Sequence, residues 1–252
     1  MKKRTRIASL FACLLSTCMT LTPLSVNAAE PLSAMSDDAI LLSTGMPAAE
    51  VYAMDEDIKE YIVESLIDTG NINEMVYIPS NDINTPVPHG NQTLSGIDFS
   101  VSAFKSAGTI HIYPTYEFTT PKKPLGNDNF IVEVTDALYI LDAGGQVWYQ
   151  TDYMTDWEVG GDMVPLFDPG FYTIQYPGDQ LGTPDGSMLF KGCAYVQAEE
   201  GPGSDNRIKL TYVYDPNWFD YDIEISAPLF FGISINPYGD VYVGSYMSKL
   251  NY

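Results

Sequence analysis

Two loop-rich stretches hold the three tryptophans of this 252-residue sequence beside carboxylates and amides. The first runs Trp148-Tyr149-Gln150-Thr151-Asp152-Tyr153-Met154-Thr155-Asp156-Trp157-Glu158, and the second is Tyr214-Asp215-Pro216-Asn217-Trp218-Phe219-Asp220-Tyr221-Asp222. An aromatic ring on a loop can stack on the apolar face of a sugar while neighbouring Asp and Asn accept hydroxyl hydrogens. On that chemistry Trp157, Trp218, Tyr153 and Tyr221 are the candidate ligand-binding residues, with a glycan or a protein as ligand. Ordinary packing of the rings is the competing reading, and Trp148, inside an alternating stretch, is assigned to packing. Asp215, Asn217 and Asp220 offer the hard oxygen donors that Ca²⁺ prefers, and extracellular modules bind that ion at ~10⁻⁴–10⁻³ M. No Asp-x-Asp-x-Asp-Gly loop is present, so diffuse counterion screening stands as the alternative to a calcium site.

Catalytic patterns are sparse. There is no Gly-x-Ser-x-Gly, no His-Glu-x-x-His and only two histidines, His89 in a Pro-His-Gly loop and His111 on a strand. Both read as solvated or hydrogen-bonded structural histidines. Glycoside hydrolysis needs only two carboxylates at a fixed separation, and 33 acids guarantee that some pair fits. Glu133, Glu199, Glu200 and Glu224 are therefore assigned to a solvated acidic face, and no catalytic residue is assigned.

The elements that must position these residues come in two kinds. Ser36 and Asp55 stand where helix caps belong, and Ile58, Tyr61, Ile62, Ser65 and Leu66 repeat at the spacing of one helix face, with Gly70 as the stop. Residues 36–70 are thus a small helical segment. Residues 71–93, with Pro79, Pro86 and Pro88, read as a connector without regular structure. From residue 94 to 252 the period becomes two, as in Ile97, Phe99, Val101 and in Phe130, Val132, Val134, giving about ten half-buried strands. Turns are expected at Asp142-Ala143-Gly144-Gly145 and at Asn236-Pro237-Tyr238-Gly239. Many strands with short turns and no interleaved helices predict an antiparallel β-sandwich or barrel.

Met1 to Ala28 has the basic, apolar and small-residue regions of a secretory signal. Cleavage there removes Lys2, Lys3, Arg4 and Arg6, so the net charge of −21 becomes −25 once those four positive charges leave. Such a balance excludes a polyphosphate partner, whose affinity is built from Lys and Arg. No other stretch reaches the ~18 apolar residues that span a bilayer, and the expected location is secreted. Leu15-Ser16-Thr17-Cys18 also resembles a lipobox, apart from Thr17, so lipid anchoring through Cys18 is the alternative. Cys13 and Cys18 lie in the leader, which leaves Cys193 as a packed thiol without a disulfide partner.

Gly45-Met46-Pro47-Ala48-Ala49-Glu50 followed by Met54-Asp55-Glu56-Asp57-Ile58-Lys59-Glu60-Tyr61-Ile62 resembles the N-terminal segment of uncharacterised secreted proteins of Gram-positive bacteria. Ile112-Tyr113-Pro114-Thr115-Tyr116-Glu117-Phe118, then Pro121 and Asn129-Phe130-Ile131-Val132, is similar to their aromatic strand, proline and next strand, with Phe118 where a Trp is usual. The resemblance covers residues 40–65 and 97–135. It implies secretion and a β-rich fold and carries over no activity. Residues and resemblance together predict a non-enzymatic extracellular binding module. A carboxylate-dependent polysaccharide hydrolase, or a structural envelope protein whose helices pack on another chain, are the alternatives.

Overall fold

The computed structural model describes residues 35–83, 92–123, 128–151, 156–166, 172–178, 188–214, 221–225, 233–237 and 242–252, with the backbone alone for Gln92 and for 221–225 and 233–237. Three helices open it: α1 (Asp37–Ser43), α2 (Ala48–Ala53) and α3 (Glu56–Asp68). Ser36 Oγ accepts from the Ala39 amide, and Asp55 Oδ1 accepts from the amides of Asp57 and Ile58 at 3.1 and 3.3 Å, so both expected caps are in place.

Fourteen strands follow among the described residues. They are β1 (Val76–Tyr77), β2 (Ser80–Ile83), β3 (Gln92–Thr93), β4 (Ile97–Ser106), β5 (Thr109–Phe118), β6 (Asn129–Val134) and β7 (Leu138–Thr151). The chain continues through β8 (Glu158–Asp162), β9 (Thr173–Pro177), β10 (Met188–Glu200), β11 (Arg207–Tyr214), β12 (Tyr221–Ile225), β13 (Ile233–Pro237) and β14 (Tyr242–Leu250). One sheet has the order β1-β4-β5-β10-β7-β8. A second has β2-β14-β11-β6-β9, with β3 beside β14 as its one parallel pair, and β12 and β13 form a separate antiparallel pair. The two sheets pack face to face without closing into a barrel, so of the two predicted forms the sandwich is the one adopted.

Strand alternation explains the interior. Ile110, Ile112, Tyr116 and Phe118 of β5 meet Phe130, Val132 and Val134 of β6 and Ile208, Leu210 and Tyr212 of β11 in one cluster. At its centre the Tyr116 ring lies 4.8 Å from both Phe130 and Tyr212. Here the packed rings add buried aromatic area to the aliphatic core.

The outward face of the first sheet is also covered. Ile58, Ile62 and Leu66 of α3 are buried, as are Phe104, His111, Tyr113 and Cys193 on the strands facing the helices. The helices therefore bury their apolar face on their own sheet. The strands beneath are buried on both faces rather than half-buried.

Three local expectations are corrected. The connector 71–93 contains a 3-10 turn at Ile72–Glu74 and three short strands, β1 to β3, that pair at the sheet edges. Asp142–Gly145 is no turn but the middle of the fourteen-residue β7. Across it the register with β10 shifts between Gln197 and Ala198, the mark of a β-bulge. The glycine signal is one of close approach: a Cβ on Gly145 would lie 2.7 Å from the Cys193 carbonyl oxygen and 2.9 Å from the Ala194 Cα. Both obstacles are backbone, so Gly145→Ala is expected to cost about 1–3 kcal/mol in urea unfolding. Gly144→Ala, with nothing within 4 Å of its Cβ, should stay within about 0.5 kcal/mol of the parent. Finally, Glu133 faces away from the core yet is buried, paired with Lys209 Nζ at 2.8 Å, and is no part of a solvated acidic face. Glu199 and Glu200 are exposed as expected, and the side chain of Glu224 lies outside the described residues.

Candidate functional site: a polar cleft under the third helix

Two buried lysines tie helix α3 down, one to the sheet and one to α1. Lys191 of β10 is fully buried and places Nζ 2.5 Å from Asp55 Oδ1 and 2.7 Å from Asp57 Oδ2, so the residue that caps α3 also anchors it. The same ammonium stands 4.1 Å from the Trp157 ring centroid and 6.0 Å from that of Trp148, within cation–π range. Lys59, on the helix itself, reaches Asp38 of α1 at 2.7 Å and Glu56 at 2.9 Å. A third tie is the hydrogen bond from Tyr113 Oη to Ser65 Oγ, 3.0 Å.

Beside these anchors, along the C-terminal half of α3, lies a cleft of about 540 Å³, inside the ~300–1,000 Å³ of small-molecule sites. Tyr61, Glu64, Ser65 and Asp68 form the helix wall. The spacing i, i+3, i+4, i+7 puts them on one stripe beside the apolar one. The floor is the outward side of three strands: His111 of β5, Tyr195 and Gln197 of β10, and Gln146 of β7. Register brings these together, because Gln197 pairs with His111 and Cys193 with Gln146 across the sheet. The β4–β5 turn closes one end with Ser106 to Thr109, where Ala107 holds a positive φ of 49° and Gly108 one of 90°.

Polar groups in the floor are linked. Tyr195 Oη lies 3.3 Å from His111 Nδ1 and donates to Gln197 Oε1 at 3.2 Å. Burial pushes the Tyr195 hydroxyl up to about 12, with the Asp142 carboxylate adding to the effect, and burial raises the Tyr61 hydroxyl as well. His111 moves the other way, its pKa lowered by desolvation of the imidazolium. Ser106 is buried, and its hydroxyl has no hydrogen-bond partner among the described residues. Cys193 is a buried free thiol whose pKa burial raises, which suits packing and not nucleophilic attack.

The lowered pKa of His111 carries a pH consequence. The unfolded chain takes up the imidazole proton near 6.5 and the folded chain only lower, so stability present above 6.5 is lost as pH falls through the folded pKa. Glu117 and Glu133, whose carboxyls burial raises from 4.5, act oppositely, and their share is full below 4.5 and lost as pH rises through their folded pKa. In chemical denaturation from pH 7 down to 5 the parent should therefore lose stability relative to His111→Gln; a difference between the two that does not change with pH would contradict the assignment.

Of the residues predicted from sequence, Trp157 is partly buried just before β8, with one ring face taken by Lys191. Trp148 is packed, edge-on to Tyr61 at 5.9 Å. Tyr221 begins β12, with its side chain outside the described residues, and Tyr153, Trp218, Asp215, Asn217, Asp220 and His89 lie outside them altogether. Among the described residues no group of three or more His, Cys, Asp or Glu is placed to hold a metal ion. Nor is any described helix long and apolar enough to cross a membrane.

No family model matches the chain, and no curated protein does. Solved structures do. The collagen-binding domain of Erysipelothrix rhusiopathiae surface protein RspB matches with 11% identity and a TM-score of 0.30, over 58% of this chain and 48% of that one. The chain thus spans about half the length of that structure. A collagen-binding domain from a Staphylococcus aureus adhesin matches at 8% identity, TM-score 0.28, over 68% and 96%. A structure concerned with Streptococcus parasanguinis adhesion by Fap1 fimbriae matches at 15%, TM-score 0.34, over 68% and 89%.

Proposed function

We propose that the protein is a non-enzymatic, extracellular binding module that takes a glycan in the cleft under α3. Support for the location comes from the secretory pattern of residues 1–28. Support for binding comes above all from one observation, a cleft of ligand size lined in part by Ser106, whose buried hydroxyl has no partner among the described residues. A buried polar group without a partner carries a desolvation cost that a ligand hydroxyl can relieve. Around it Gln146, Gln197 and Thr109 offer donors and acceptors, and Tyr61 and Tyr195 offer rings for sugar C–H faces.

The test is a screen of the purified protein against immobilised polysaccharides and extracellular matrix proteins, followed by calorimetry on any hit. Binding that Gln197→Ala or Tyr195→Phe weakens at least fivefold, with the far-UV dichroism unchanged, is the expected result. Binding indifferent to both but lost in Trp157→Ala or Trp218→Ala would move the site to the aromatic loops. Release of reducing sugar that Glu64→Gln abolishes would overturn the non-enzymatic reading in favour of a hydrolase.

A further inference from the structure

The walls of the cleft are one-sided in charge. Glu64 and Asp68 stand a helical turn apart on the wall, both exposed, and among the described residues no lysine or arginine lines the cleft. Lys59 and Lys191, on the same helix and strand as cleft residues, are committed to Asp38, Glu56, Asp55 and Asp57. Lys105, next to Ser106 on β4, is paired with Glu200. His111, the remaining basic group, is buried, and burial disfavours its cationic form. The whole chain adds a net charge of −21, and a cleft focuses such a field toward cations.

We infer that the cleft selects an amine-bearing sugar, a hexosamine whose nitrogen is a free ammonium, over its N-acetylated, neutral or anionic counterparts. The inference rests on the glycan-binding reading above and adds its chemical class. The ammonium would sit against Glu64 and Asp68 on the helix wall, where charge-assisted hydrogen bonds are strongest. Ring hydroxyls would be taken by the floor, by the amides of Gln146 and Gln197 and by the Ser106 hydroxyl. The second observation, independent of the acids, is that hydroxyl: Ser106 is 5% exposed, lines the cleft and has no partner among the described residues. Carboxylates alone would suit any cation, but the buried hydroxyl and the amides beside two tyrosine rings call for a polyhydroxylated molecule. A uronic or sialic acid would meet two like charges and no compensating cation, which is how such a site rejects it.

Calorimetric titration of the purified protein with a glucosamine tetrasaccharide and with its fully N-acetylated counterpart tests this. The free amine is expected to bind on the order of tenfold more tightly at low ionic strength. That preference should shrink at high salt and vanish in the Glu64→Gln, Asp68→Asn double variant, whose exposed positions leave the fold intact. Gln197→Ala should weaken both sugars alike. Equal affinities for the two sugars, weakened together by Gln197→Ala and indifferent to the double variant, would overturn the ammonium inference and leave the glycan reading standing. Binding of neither tetrasaccharide would also overturn it, and a hit in the wider screen would then show separately that the cleft serves another ligand.

Discussion

Lys191→Met should lower the unfolding free energy by about 3 kcal/mol, seen as a melting midpoint about 6–12 °C lower. Methionine keeps most of the buried stem, so the loss is chiefly of charge. Without the ammonium, Asp55 and Asp57 face each other and the neighbouring Glu117, paired across the sheet with residue 191, with their shared cation gone. Their side chains are 24% and 34% exposed, so water relieves part of the repulsion. That places the effect at the lower end of the ~3–5 kcal/mol seen when one partner of a buried pair is removed. Asp55→Asn and Asp57→Asn should each cost less, since one carboxylate still meets the lysine, and a double-mutant cycle with Lys191→Met should show strong coupling. A change within about 0.5 kcal/mol would mean that Lys191 does not anchor α3. Because α3 is a wall of the cleft, the same variant should also weaken any ligand bound there.

Lys209→Met is the other large effect, on the opposite sheet. Glu133 and Lys209 face away from the core on adjacent strands, 2.8 Å apart, with side chains 3% and 10% exposed. Removing the cation leaves a carboxylate in a place where burial already raises its pKa, with Lys209 the group that lowers it. At neutral pH the cost should be about 3 kcal/mol, bounded by the option of protonating Glu133 instead. The sign with pH follows: the raised carboxyl holds its proton in the folded state, so the penalty shrinks as the solution is acidified toward 4.5 and grows as pH rises through the folded pKa. Adding Glu133→Leu should restore most of the stability, since an apolar pair of similar volume removes the desolvation cost. Guanidinium unfolding of Lys209→Met and of the double variant at two pH values decides this. A double variant as unstable as Lys209→Met would show that packing and not charge is at stake.

Much of the fold is legible in the residues, because it follows from local periodicity. The face Ile58, Ile62, Leu66 with its Asp55 cap, and the alternations of β4, β6, β10 and β11, need only neighbours in sequence to be read. Asp142–Gly145 was open to misreading because a glycine required for close approach to β10 and one required for a turn look alike in sequence. Glu133 was misplaced for a related reason: alternation assigns it to the outward face, but whether that face is wet depends on distant segments. The cleft was the least legible part. Gln146, Tyr195, Gln197 and His111 are the outward halves of their strands, and only the order β5-β10-β7 makes them one floor. Tyr61 and Ser65 lie on the recognised helix face, and Glu64 and Asp68 one step around it. Those four positions were readable as a second stripe, but nothing local says that it overhangs polar strands.

Where a ligand sits decides between the cleft and the aromatic loops. Amide and side-chain NMR spectra of the isotopically labelled protein, titrated with the glucosamine tetrasaccharide, locate it without a prior choice of variant. Shifts concentrated at residues 61–69, at Ser106 to Thr109, at the His111 imidazole and at the Gln146 and Gln197 amides are the predicted result. Saturable shifts confined to Trp157, Trp218 and their loops, with the cleft unmoved, would contradict it.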